Sequence, residues 1–294
     1  MNIEYLEQQF QKFQKVHEEA SYSSFVEYLG INFSESTVVC PVYKAYYTTT
    51  QSMKKEIRLL QPLFEQDMIH ALNLIDDTVN SGFVRYEIGL GKRTDDNMAF
   101  LKQWVKGLYP EIEAHHQEIE SFFALKCTQK EGYQYAALYF LGLIAESDSV
   151  QKPLIKAVKL HFLLRMCSNP DQIGKSFIVN TSGYLEELSN LGIEQIAELV
   201  MFLKVLSETS EFELWMAAVD YYRDGLTKYK LYIKKFSKRI YTGLFERFTA
   251  LGCMNLAEQL HTYSQWLKFH PELEQYGLAI CLDSYGVWSV NFYH

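Results

Sequence analysis

Five segments of the chain share a spacing suited to anion chemistry: a hydrogen-bond donor, usually cationic, is followed two residues later by Tyr, His or Glu. They are Lys44-x-Tyr46, Arg85-x-Glu87, Lys159-x-His161, Lys228-x-Lys230-x-Tyr232 and Asn291-x-Tyr293. On a strand, side chains two apart project from the same face, about 6.5–7 Å apart. Cations aligned on one face of a sheet repel each other unless an anion lies among them. The spacing therefore predicts a cationic anion site edged by aromatic groups.

The segments that carry these residues alternate apolar and polar positions by twos, which predicts strands. Such runs cover residues 38–47, 83–90, 133–143, 157–165, 214–222, 228–233, 277–282 and 287–293. Apolar residues three and four apart predict helices over residues 3–19, about 53–79, 97–123, 184–207 and 240–268. Asp76-Asp77 is expected to end the second of these helices, and Asp95-Asp96 to begin the third.

The later strands are predicted to pair as antiparallel hairpins. Residues 223–227 and 283–286 are short connections that contain Gly, which suits tight hairpin turns. Antiparallel strands separated by helices exclude a doubly wound parallel sheet, which needs a crossover after each strand. We expect a single α+β domain over residues 1–294.

The overall composition excludes several classes of protein. The formal net charge is −8 and hydrophobic residues make up 48% of the 294 residues, so the chain does not resemble a nucleic-acid binder. The five Cys are scattered without a C-x-x-C spacing, which favours a reduced cytoplasmic protein over a disulfide framework or zinc site. The polar, amphipathic first twenty residues predict a helix rather than a signal peptide, and no stretch is apolar for long enough to span a membrane.

Three segments resemble the aromatic prenyltransferases of the ABBA, or prenyltransferase-barrel, family. Residues 217–225 followed by 228–232 are similar to the central hairpin of that family. Residues 159–162 are similar to the preceding hairpin of the cyanobactin peptide prenyltransferases, and Arg85 matches the first diphosphate-binding Arg. The resemblance implies an antiparallel β-barrel of repeated α-β-β-α units, with helices outside and the active site in the lumen.

The resemblance also implies a reaction and a set of site residues. A dimethylallyl or geranyl group would leave its diphosphate as an allylic cation and alkylate an indole metabolite, tryptophan, tyrosine or a cyclic peptide side chain. The residues expected to bind the diphosphate are Arg85, Lys159, Lys228, Lys230 and Asn291. Those expected to shield the cation are Tyr46, His161, Tyr221, Tyr232 and Tyr293. Glu87 is the only carboxylate on the inner strand faces assigned from the alternation. It would orient the acceptor or remove its proton, or it would instead pair with Arg85 or another cation of the lumen; both alternatives stay open.

One departure and two rivals accompany this expectation. Four hairpins are predicted, fewer than the family has, so a further pair lies elsewhere, for example near residues 177–180, or the last unit is absent. The run Asp76-Asp77-Thr78-Val79-Asn80 resembles a degraded metal motif of the all-helical isoprenoid synthases, which are the first rival. A non-enzymatic helical interaction protein is the second rival.

The expected partners are the allylic diphosphate and the acceptor, without nucleic acid or membrane, and the protein is expected to be a monomer or homodimer. No cofactor is expected to be required, and Mg²⁺ is compatible as a counter-ion of the diphosphate.

Overall fold

The computed structural model describes most of the chain as strands and helices. The described residues are 3–19, 25–35, 41–48, 57–77, 83–91, 94–108, 129–130, 133–146, 154–165, 213–234, 238–273 and 277–294. The helices are α1 (Ile3–Glu19), α2 (Gln61–Glu65), α3 (Asp95–Leu108), α4 (Lys238–Ala250) and α5 (Met254–Trp266). The strands are β1 (Phe25–Ser34), β2 (Pro41–Thr48), β3 (Ile69–Asp77), β4 (Phe83–Leu90), β5 (Gln129–Lys130), β6 (Tyr133–Glu146), β7 (Ile155–Arg165), β8 (Glu213–Tyr222), β9 (Thr227–Lys234), β10 (Gly277–Asp283) and β11 (Trp288–Tyr293).

Ten of these strands form a closed antiparallel ring. The order runs from β4 through β3, β2, β1, β11, β10, β9, β8 and β7 to β6, and β4 then pairs with β6. The short strand β5 pairs with β6 outside this ring. The width of a barrel grows with its number of strands, and eight already give an interior that side chains fill. Ten strands therefore leave room for a chamber, and the predicted α+β barrel is confirmed.

The hairpin that the sequence analysis could not locate lies in the first third of the chain. The ring is built of five hairpins within the described residues: β1–β2, β3–β4, β6–β7, β8–β9 and β10–β11. The helix predicted over residues 53–79 is wrong for residues 69–77, which form β3 between β2 and β4. The ring closes only if a strand between β2 and β4 forms hydrogen bonds with both. This requirement of the tertiary structure overrides the local helical spacing of residues 69–77. Residues 177–180 lie outside the described part of the chain.

The hydrophobic core lies outside the ring, between the strands and the helices. The outward-facing residues of β1 and β11 include Phe33 and Phe292, both fully buried. Tyr263 of α5 packs on Phe292 with ring centroids 4.4 Å apart, and on Phe33 at 5.3 Å. The predicted alternation is confirmed for the strands whose side chains the structure describes: apolar residues point outward to the helices, whereas Arg85, Lys159, Lys228 and Lys230 point into the ring.

The helices agree with the sequence in part. The prediction for residues 3–19 is confirmed, and the one for 240–268 divides into α4 and α5 at Gly252, whose φ of +78° favours glycine. Residues 109–123 and 184–207 lie outside the described part. Asp76 and Asp77 end a strand rather than a helix, whereas Asp95 begins α3 as expected.

The ring of strands contradicts the all-helical isoprenoid synthase and the helical interaction protein. Within the described residues, none of the helices has the length and apolar character needed to cross a bilayer.

Candidate active site

Two hairpin turns fix the register of the strands that carry the cations. The β8–β9 turn contains Gly225 with φ +88°, and the β10–β11 turn contains Gly286 with φ +79°, a backbone conformation that favours glycine. Ser284 connects the two turns: its N–H donates to the Thr227 carbonyl at 2.8 Å, and its hydroxyl accepts from the Thr227 N–H at 3.2 Å. These bonds hold β8 to β11 as one block at this end of the barrel.

Four cationic side chains line one cavity inside the ring. They are Arg85 of β4, Lys159 of β7, and Lys228 and Lys230 of β9. The cavity has a volume of about 160 Å³, whereas a single water needs only about 10–15 Å³. Lys159 is 4% exposed and Lys230 is 8% exposed, so their charges are shielded from bulk solvent. We call this cavity the chamber; its cations make it suited to a small polyanion.

A buried carboxylate, Asp220 of β8, lies among these cations. Its Oδ2 accepts a hydrogen bond from Lys159 Nζ at 2.7 Å and another from Lys230 Nζ, and the residue is 0% exposed. Asp220 is therefore an inward carboxylate besides Glu87, on a strand that was not among those whose inner faces supplied Glu87 as the candidate. The alternation of Asp220 and Tyr222 with the apolar Val219 in a predicted strand is the signal that could have identified Asp220.

Burial and mutual contact shift the pKa values of this cluster. Burial lowers the pKa of Lys159 to about 7, although Asp220 partly opposes the shift. Burial also disfavours the charge on Lys230, but Asp220 outweighs it and raises the Lys230 pKa above its usual range. Burial disfavours the Asp220 carboxylate, yet Lys159 and Lys230 together lower its pKa. At neutral pH the chamber thus holds one ionised carboxylate, with Lys159 close to its titration point.

Aromatic rings occupy the neighbouring part of the lumen. Tyr232 and Tyr293 line the chamber and stack with centroids 6.3 Å apart, and the Tyr232 hydroxyl lies 3.4 Å from His161 Nε2. Burial lowers the pKa of His161 to about 4, so its imidazole is neutral at neutral pH. Burial raises the pKa of Tyr293 to about 12, and Tyr232 is also held protonated. The rings present neutral, electron-rich faces beside the cations.

Glu87 forms an ion pair with Arg85 within the same strand. Glu87 Oε1 lies 2.7 Å from an Nη atom of Arg85, and both side chains are mostly buried. Of the two alternatives that the sequence left open, the structure therefore contains the pairing with Arg85.

The side of the chamber formed by β1, β10 and β11 is polar and uncharged. Asn291 of β11 lines it, together with Asn32 of β1, and the Asn32 side-chain amide donates to the Asn291 side-chain oxygen. Ser289 and Cys281 complete this wall, and Asn291 Nδ2 lies 3.8 Å from Cys281 Sγ. Asn32 was missed because β1 was not predicted, although Ile31 and Phe33 alternate with Gly30, Asn32 and Ser34 in the sequence.

Two predicted shielding residues need separate comment. Tyr221 is wrong as a lumen residue: it is fully buried in the outer hydrophobic core, because it points to the opposite face of β8 from Asp220. Its neighbour Tyr222 lines the chamber instead, with its ring 5.6 Å from the Nζ atoms of Lys159 and Lys228. The backbone of Tyr46 pairs with Ile75 in the ring, but its side chain lies outside the described part of the structure.

The described residues contain no group of three His, Cys, Asp or Glu side chains that could hold a metal ion.

Comparison with known proteins identifies the fold. No protein-family model matches the sequence, and no curated protein matches it either. Among solved structures, AnaPT from Neosartorya fischeri aligns with a TM-score of 0.58 at 13% identity, over 94% of this chain and 81% of that chain. The NotF prenyltransferase aligns with a TM-score of 0.55 at 11% identity, over 97% of this chain and 88% of that chain. Almost the whole chain therefore shares the fold of these prenyltransferase-barrel proteins.

Proposed function

We propose that this protein is an aromatic prenyltransferase that moves a dimethylallyl or geranyl group from its diphosphate to an electron-rich acceptor. The observation that carries the proposal is the juxtaposition, inside one closed barrel, of four cations with stacked Tyr232 and Tyr293. The likeness of fold to the NotF prenyltransferase supports it.

The cations suit the leaving group of such a reaction. As the C–O bond to the donor breaks, negative charge accumulates on the diphosphate, and the ammonium groups of Lys159, Lys228 and Lys230 together with Arg85 would stabilise it. Their enclosure strengthens this effect because solvent does not screen them. We assign Asn291 to the same ligand as an uncharged donor, since it lies in the wall of the same chamber.

The aromatic groups suit the allylic cation that remains. The faces of Tyr232 and Tyr293 attract a cation and exclude the water that would capture it as an alcohol. His161 is neutral at the operating pH, so it adds no repulsive charge beside the cation. We place Tyr46 in the same shield as a prediction from the sequence.

The acceptor ring would then attack the cation and lose a proton. We propose Glu87 for orienting the acceptor or removing this proton, because its carboxylate is held near the chamber by Arg85. The proposed acceptor is an indole metabolite, tryptophan, tyrosine or a side chain of a cyclic peptide. Mg²⁺ is proposed only as a counter-ion that arrives with the diphosphate.

A product screen tests the proposal. Dimethylallyl and geranyl diphosphate are each incubated with tryptophan, tyrosine, simple indoles and Trp- or Tyr-containing cyclic peptides, and products are detected by mass spectrometry. We expect an acceptor that gains the mass of one prenyl group, together with release of pyrophosphate. The Lys230→Met variant serves as the matched negative control. Absence of any prenylated product, combined with absence of binding of either donor, would contradict the proposal.

A further inference from the structure

A negative charge lies directly behind two of the lysines that line the chamber to which we assign an anionic ligand. Asp220 is fully buried, and its Oδ2 accepts hydrogen bonds from both Lys159 and Lys230. Its Oδ1 accepts no hydrogen bond from any residue that the structure describes. A carboxylate in this place repels a diphosphate because both are negatively charged, so its presence needs a physical reason.

The strand register explains how one carboxylate reaches both lysines. Asp220 on β8 is directly opposite Lys159 on β7 and Lys228 on β9, and Lys230 is the next inward residue along β9. The central strand of the three is therefore the one place from which a short side chain can contact Lys159 and Lys230 together. Each ammonium has three donors. The bond to Asp220 leaves two donors on Lys230 for a ligand in the chamber, and one on Lys159, which also donates to the Tyr222 hydroxyl at 3.5 Å.

The surroundings of Lys159 would otherwise remove its charge. It faces Tyr222 on β8, Lys230 on β9 and Arg85 on β4, and its neighbour on β6 is the uncharged Gly142. Burial and two nearby cations favour the neutral amine. Asp220 is the acid that opposes them most strongly. Glu87, a further inward carboxylate on β4 beyond β6, is paired to Arg85.

The charge of Lys230 also depends on burial and on Asp220, but here the pKa is raised rather than lowered. Its neighbours are Tyr232 on its own strand, Tyr222 on β8 and the thiol of Cys281 on β10, and Asp220 again supplies the strongest opposing charge. Both buried ammonium groups therefore depend on one carboxylate, and neither has a second acid of comparable effect among the groups that face it.

We propose that Asp220 is a positioning residue that keeps Lys159 and Lys230 charged and directed into the chamber, so that binding of a diphosphate depends on a carboxylate within its own site. This inference rests on the proposed function for the identity of the anion. We therefore expect that removal of this negative charge weakens anion binding, because the two ligand-binding ammonium groups lose their charge or their orientation.

The first test compares Asp220→Asn with the wild type for binding of inorganic pyrophosphate by calorimetry. Asp224→Asn is the matched control, because Asp224 is exposed in the turn of the same hairpin and only accepts a bond from the Leu226 N–H at 3.1 Å. We expect Asp220→Asn to bind about tenfold or more weakly near pH 8.5, with a smaller loss near pH 6, because the lower pH favours protonation of the lysines in both proteins. The control should bind like the wild type at both pH values. Tighter binding by Asp220→Asn at both pH values would overturn the proposal, since Asp220 would then only repel the ligand.

The second test needs no ligand and separates this inference from the proposed function. Lysine side chains labelled at Cε with ¹³C are titrated by NMR, and Lys159→Met assigns the two buried signals. We expect both buried lysines to titrate at lower pH in Asp220→Asn than in the wild type, and unchanged titrations would overturn the proposal. If Asp220→Asn does not fold, the comparison of Lys159→Met with Lys159→Met/Asp220→Asn gives the same answer for Lys230. Failure of the wild type to bind pyrophosphate would count against the proposed function, whereas the lysine titration would still decide the role of Asp220.

Discussion

Gly142 of β6 lies directly opposite Lys159 of β7, and the side chain of Lys159 occupies the space that a larger residue at position 142 would need. A Cβ at Gly142 would lie 3.0 Å from the Cβ of Lys159 and 3.3 Å from its Cδ. The missing side chain of one residue thus determines the path of the other toward the chamber.

The substitution Gly142→Ala tests this relationship. The new methyl group would displace the Lys159 side chain, and crowding of this kind costs about 1–3 kcal/mol. We expect pyrophosphate to bind several-fold more weakly, as measured by calorimetry. Gly107→Ala on α3 is the control, because among the described residues nothing outside its own helix and chain neighbours lies within 4 Å of the added Cβ. Equal affinities for Gly142→Ala and the wild type would show that Lys159 reaches its position without this space.

The variant Lys230→Met tests the cationic part of the chamber. It keeps the length of the side chain but removes a charge-assisted hydrogen bond to the ligand, which is worth about 1.5–3 kcal/mol, or roughly 10–100-fold in affinity. We expect this loss for pyrophosphate and for dimethylallyl diphosphate, with the circular dichroism spectrum retained. Lys268→Met removes an exposed Lys that donates a hydrogen bond to the Gln265 side chain at 2.7 Å, and it should change neither ligand's affinity. Wild-type affinity in Lys230→Met would remove Lys230 from the site.

The variant Tyr232→Ala tests the aromatic shield. Loss of the ring that stacks on Tyr293 and contacts His161 admits water to the cation. We expect the share of prenyl alcohol among the products to rise several-fold, measured by mass spectrometry. The exposed Tyr285 supplies the control Tyr285→Ala. A product ratio like that of the wild type would contradict the shielding role of Tyr232.

Substitutions of the two adjacent tyrosines of β8 should differ in their effect on anion binding. Tyr222→Leu removes ring contacts with the ammonium groups of Lys159 and Lys228, each worth about 0.5–1 kcal/mol or more where solvent is excluded. We expect pyrophosphate affinity to fall several-fold in this variant. Tyr221→Phe changes only the outer core, so we expect it to alter the melting temperature and leave affinity unchanged. The assignment of faces fails if Tyr221→Phe impairs binding as much as Tyr222→Leu.

The pH dependence of anion binding follows from the Lys159 pKa of about 7. In the empty protein Lys159 is protonated below this pH and loses its proton above it, while a bound anion favours the protonated form. Affinity should therefore be constant with respect to Lys159 below about pH 7, and should fall by up to about tenfold per pH unit above it. Because pyrophosphate itself titrates, the profile is compared with that of Lys159→Met, which should lack this component. Parallel profiles for the two proteins would contradict the assignment.

Part of this organisation follows directly from local sequence. Period-two alternation determines which residues of a strand share a face, so the inward position of Lys159, Lys228, Lys230 and Asn291 was predictable from spacing alone. The Gly-containing turns at Gly225 and Gly286 identify two hairpins for a similarly local reason, since their positive φ angles favour glycine.

The remaining features depend on contacts between residues distant in the chain. The stretch 69–77 has helical spacing and becomes a strand because β2 and β4 require a partner between them, and the pairing of β4 with β6 closes the ring. The contact of Asp220 with Lys230 lies within the β8–β9 hairpin, but its contact with Lys159, 61 residues away in sequence, depends on the pairing of β8 with β7. Spacing along one strand says nothing about which residue of another strand lies opposite, so only the folded barrel determined that a carboxylate lies between the two lysines.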